Sequence, residues 1–160
     1  MKLGLALREL HRAEKSLARD LLTVSDRHAA EHEIHHVARD LAAWSREHVH
    51  HLAEAGERYG LHLDDSPPEH SGPLASVRRK LSELAGGRPE PGLLLLADLR
   101  RLYRKAAGVS LDWELLAQGA QAVKDTDLVE LTERCHPRTL RQMTWTNSML
   151  KTLSPQVLAS

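Results

Sequence analysis

The chain has 160 residues, with 22 basic side chains balanced by 22 acidic ones and a formal net charge of zero. That length favours one domain spanning residues 1–160, and the balanced charge removes the electrostatic argument for a nucleic-acid or anionic-membrane partner. The 29 Leu and 19 Ala stand against eight Val, one Ile and no Phe, a composition that disfavours strands in nearly every window and predicts an all-α protein.

The first element is expected over about 3–29. Apolar residues at 3, 7, 10, 17, 21 and 24 keep the three-four spacing of one helix face, and Glu14 and His28 fall on the same stripe. A second stripe, Ile34, Val37, Leu41, Trp44, His48, Leu52, Ala55 and Tyr59, predicts a helix over about 31–59, with a tight connection near residue 30 and Gly60 as its C-terminal cap. Residues 60–92 are punctuated by Asp, Pro and Gly and read as a long crossover with one short helix at 74–84. Leu95, Leu99, Leu102, Ala106, Val109, Trp113, Leu116, Ala120 and Val123 predict a third helix over 93–124. The fourth is expected over 127–153, capped by Thr126 or Asp127, kinked or restarted at Pro137 and ended before Pro155. Two antiparallel helical hairpins joined by one long crossover make a four-helix bundle.

A single cysteine, Cys135, precludes an internal disulfide and suits a reducing compartment. Residues 1–12 lack the apolar region and cleavage site of a signal peptide, and the apolar run Leu93 to Ala97 is far below the ~20 residues a membrane span needs. The expectation is a cytoplasmic protein with no membrane partner. Gly-rich phosphate loops, Cys-x-x-Cys pairs and nucleophile elbows are missing from the sequence.

In its organisation the whole chain resembles the ferritin-like superfamily. Members place a Glu on the first and third helices and a Glu-x-x-His on the second and fourth, around two metals. Glu47 to His50 and Glu133 to His136 supply two such motifs, and Glu14 supplies the first-helix carboxylate. The resemblance implies iron or another divalent metal held by Glu14, Glu47, His48, His50, Glu133 and His136. Counting from the turns at 1.5 Å per residue sets Glu14 level with Glu47, and Glu114 level with His136, so all four lie at about one height in the bundle.

Direction is a separate matter. At about 100° per residue, His48 faces inward, Glu47 sits at the border and His50 points away, while Trp113 takes the inward place beside Glu114. Buried Glu14 needs a histidine, an arginine or a metal, because an unpaired buried carboxylate costs several kcal/mol. Eight of the 11 histidines lie in residues 28–62, and His28, His32 and His36 have the i, i+4 spacing of a helical clamp; the plainer expectation is that most are surface and turn residues. Cys135 reads as structural, and an exposed Trp145, off the fourth-helix stripe, would signal self-association. Two functions follow: a ferritin-like bundle that handles metal, or a metal-free bundle acting as a structural or protein-interaction module, with a homo-oligomer open to either.

Overall fold

In a computed structural model of the chain, residues 2–67 and 90–160 are described. Among them are four helices and no strand: α1 (Leu3–Arg27), α2 (His32–Glu57), α3 (Pro91–Ala122) and α4 (Thr126–Ala159). The short helix expected at 74–84 lies outside the described residues. No helix among the described residues is long and apolar enough to cross a membrane.

The α1 stripe is its buried face. Leu7, Leu10, Leu17, Leu21 and Val24 are at most 1% exposed, and Glu14, at 0%, stands among them. Burying each such leucine contributes about 1.5–3 kcal/mol, so the stripe is enough to dock α1 against α2 and α3. On α2 the buried face holds Ile34, Leu41, His48 and Leu52, as the spacing predicts, and is broadened by Ala38, Ala42, Ser45 and Val49.

Both long-helix ends close in the same way. After α2, the Gly60 N–H bonds the Glu57 carbonyl at 3.1 Å and the Leu61 N–H bonds the Gly56 carbonyl at 3.0 Å, with Gly60 at φ +72°. This is the double hydrogen bond that satisfies the last carbonyls of a helix and wants a left-handed residue. After α3 the pattern repeats at Lys124 (φ 59°), whose N–H bonds Gln121 while the Asp125 N–H bonds Ala120. Asp125, rather than Thr126 or Asp127, then caps α4 by accepting from the Leu128 N–H at 3.1 Å.

α4 continues through Pro137 and Pro155 to Ala159, beyond the end expected at 153. A proline ring fixes φ near the helical value and costs one hydrogen bond. The buried residues on both sides of Pro137, from Leu128 to Met149, hold the helix through it. Near Pro155 the Ser154 hydroxyl donates to the Leu150 carbonyl. Trp145 is partly buried against the core instead of standing free on the surface.

Contacts give the helix directions. Arg27 and His28, at the end of α1, meet Asp98 near the start of α3, and Leu3 meets Gly119, so α1 and α3 are antiparallel. Arg58 meets Asp125 and Gln142 meets Leu41, so α2 and α4 are antiparallel as well. The described part of the connection, residues 61–67, runs along α1 and α2, with Leu61 over Gly4, Asp64 on Lys15 and Asp65 on His50.

Candidate functional site

The centre of the bundle is polar, and every helix contributes to it. Glu14 of α1 and His48 of α2 are 0% and 1% exposed, and His48 Nδ1–H donates directly to Glu14 Oε2. Ser45, one turn before His48, donates to Glu14 Oε1 at 3.4 Å. Gln142 of α4 donates to Ser45 Oγ and to the Leu41 carbonyl, each at 2.9 Å. Trp113 of α3, fully buried, sets its ring edge-on to His48 with centroids 5.6 Å apart.

Charge in this cluster is governed by burial and by the Glu14–His48 bond. Burial pushes the Glu14 carboxyl up, against the opposing pull of His48, Ser45 and Trp113. Burial lowers the His48 imidazole, but Cys135 and Glu14 beside it outweigh that and push it up to about 9. The two directions agree on one proton held between the pair, which is neutral as a unit and so avoids most of the cost of burying charge. The thiol of Cys135 and the indole N–H of Trp113 act on the pair electrostatically without reaching hydrogen-bond geometry. The His48 Nε2, Trp113 Nε1, Thr139 Oγ1 and Gln142 Oε1 atoms are buried with no hydrogen-bond partner among the described residues.

The other candidate ligands stand elsewhere. Glu47 is exposed and takes a 2.5 Å hydrogen bond from Arg138, which holds its carboxyl below the usual range. His50 is exposed and lies between Asp65 at 3.2 Å and Glu54 at 3.1 Å, which raise its pKa. Glu133 and His136 line an open groove between α3 and α4 together with Glu114, Thr132 and Gln118. There His136 Nε2 and Ser110 Oγ are 2.8 Å apart, and His136 Nδ1 is 3.9 Å from Glu114 Oε2. A hydroxyl, an imidazole and a carboxylate thus line up. Both Ser110 and Glu114 sit inside α3, however, where backbone N–H groups are already bonded within the helix, so the groove offers no main-chain donor for a developing oxyanion.

Glu14 reaches the level of Glu47 and His48, Glu114 the level of His136, and the Glu47–Arg138 bond ties the α2 level to the α4 level. What separates the six residues is direction, and Trp113 fills the inward space where a third-helix carboxylate would stand. Among the described residues, no group of three or more His, Cys, Asp or Glu side chains is arranged to hold a metal ion.

The histidines of the first hairpin divide the same way. His28 lies in the turn and not on one helix with His32; it is buried against Asp98, 2.7 Å away. His35 Nδ1 sits 2.9 Å from the Ser25 carbonyl, tying the two helices across the turn, while His32 and His36 stack on the surface. Asp98, 1% exposed, also accepts from Arg27 at 2.9 Å and Arg101 at 2.6 Å. Burial works against its charge, but His28 and Arg27 outweigh it and hold the carboxyl below the usual range. Sequence reasoning missed Asp98, Ser45 and Gln142. Extending the stripe one turn from His48 and two turns from Cys135 would have reached Ser45 and Gln142; the adjacent donors Arg27 and His28 were the signal for a facing carboxylate. Comparison with family models, curated proteins and solved structures finds no match to this chain.

Proposed function

We propose that the protein is a bundle with the helix order of ferritin-like proteins, in which interior polar groups lock the helices together where those proteins hold metal, and that it serves as a structural or protein-interaction module. The helix directions support the order: α2 ends beside the start of α4 and α3 begins beside the end of α1, at opposite ends of the bundle. The observation that carries the reading is the direct Glu14–His48 bond with Trp113 packed against it. A metal cage needs several ligands converging on one point. Here two candidates are spent on each other, Glu47 and His50 are bonded at the surface, and Glu133 and His136 face a different groove, so the residues do not fit a di-metal centre.

Metal analysis of protein made without a His tag, after incubation with iron, manganese or zinc, tests this. The expected result is below ~0.1 equivalent bound, with no change in melting temperature on adding metal. Uptake of an equivalent or more, abolished by Glu14→Ala, would overturn it.

A further inference from the structure

α3 is apolar on two sides. Its inner face holds Leu95, Leu99, Leu102, Trp113 and Leu116, all at most 4% exposed, yet Leu93, Leu111 and Leu115 are 49%, 67% and 66% exposed. At 100° per residue, Leu93, Arg100, Arg104, Gly108, Leu111 and Leu115 lie within about 80° of arc, a single outward ridge. A helix apolar on both sides is ordinarily covered on both. The described connection, residues 61–67, runs along α1 and α2 and leaves this ridge open.

The ridge is also polar in charge along its length. Arg100 and Arg104 stand on its N-terminal half with no ion pair among the described residues, and the exposed Gly108 has open space around the position of a Cβ. Four residues further on and about 40° outside that arc, half-buried Asp112 has no cation partner among the described residues; burial raises its carboxyl, and Glu9 of α1 adds to its negative surroundings. A parallel neighbour of the same kind would set Arg on Arg and Asp on Asp. An antiparallel one centred on Gly108 places residue 108 + k opposite 108 − k, so that Arg104 meets Asp112 twice. The same register lays Leu111 opposite Lys105 and Leu115 against the aliphatic stem of Arg101 of the other copy, and brings Leu93 level with Val123, itself 43% exposed.

We propose that the outward ridge of α3 is a self-association surface on which a second copy of this chain docks antiparallel, with Arg104 of each copy on Asp112 of the other and Gly108 at the crossing point. This rests on the reading of the bundle as an interaction module and supplies its partner. Sedimentation equilibrium of the full chain from about 1 to 200 µM tests it. The expected species is a dimer, weakened at least ~30-fold by Leu115→Arg and about 10-fold by Asp112→Arg, with Arg104→Asp added to Asp112→Arg restoring the affinity to within about threefold. Arg104 and Leu115 are exposed and Asp112 is half-buried, and an unchanged far-UV circular dichroism melt confirms that the variants fold. A monomer at every concentration, or a dimer indifferent to both single substitutions, overturns the proposal; loss without rescue by the charge exchange overturns the antiparallel arrangement. A monomer that binds no metal leaves the module reading standing, and a dimer that takes up metal through Glu14 overturns that reading and not this one.

Discussion

Lys124 is, among the described residues, the one non-glycine with positive φ, and it occupies the place that Gly60 fills at the end of α2. A side chain in that left-handed conformation costs about 1 kcal/mol relative to glycine. Lys124→Gly should therefore raise the urea midpoint, by about 0.5–1 kcal/mol of stability; a loss would mean that the lysine makes a compensating contact. Asp98 works in the opposite sense. Its carboxylate is buried between Arg27, His28 and Arg101, and removing the charge leaves those donors poorly matched. Asp98→Asn should cost about 1–3 kcal/mol. Because the carboxyl is held below its usual value in the folded protein, its contribution is present above pH ~4 and is lost as the folded group takes up its proton. Acid-limb denaturation should accordingly be shallower in Asp98→Asn than in the parent. Equal acid limbs would show that other carboxylates dominate.

At the scale of elements, a Cβ added at Gly108 would meet nothing within 4 Å. In the middle of a helix a glycine costs roughly 0.8–1 kcal/mol relative to alanine. Gly108→Ala should stabilise the chain by about that amount in denaturation at low micromolar concentration, where association contributes little; destabilisation would point to a close neighbour at that position. The helices themselves were the most legible part of the sequence. Three-four spacing in a Leu- and Ala-rich chain admits one structure, and every member of the stripe from Leu3 to Val24 is buried in α1, alongside His11, Ala18 and Ser25. Ends were less legible where backbone geometry, and not side-chain pattern, decides them. Asp125 outranks Thr126 and Asp127 as a cap because Lys124 turns left-handed just before it, and Pro155 does not stop α4 because its ring is compatible with helical φ and Ser154 bonds the turn behind it. The turn between α1 and α2 was placed within a residue or two, and that made the heights of Glu14 and Glu47 computable.

For the whole molecule, height along the bundle was legible and direction around each helix was only partly so. Turn counting set Glu14 level with Glu47, next to the His48 that it bonds, and Glu114 level with His136, which lies beside it. Whether level residues converge depends on helix rotation, and rotation is set by the largest inward side chain, here Trp113. The central pair also sets an alkaline limit on stability. His48 is raised from 6.5 to about 9 in the folded state. Its contribution is therefore complete below pH 6.5 and lost as pH rises through 9, a fall on the order of 3 kcal/mol; Glu14, raised by burial, shifts in the same direction. Thermal melts between pH 6 and 10 should show this fall in the parent and not in the Glu14→Leu/His48→Leu double variant. The most direct test of the locking role is the double-mutant cycle on those two residues, read by urea denaturation of metal-free protein at pH 7. Each single change strands a buried polar partner and should cost about 3–5 kcal/mol, while the double variant should lie close to the parent or above it. Single costs that simply add in the double variant would contradict the account.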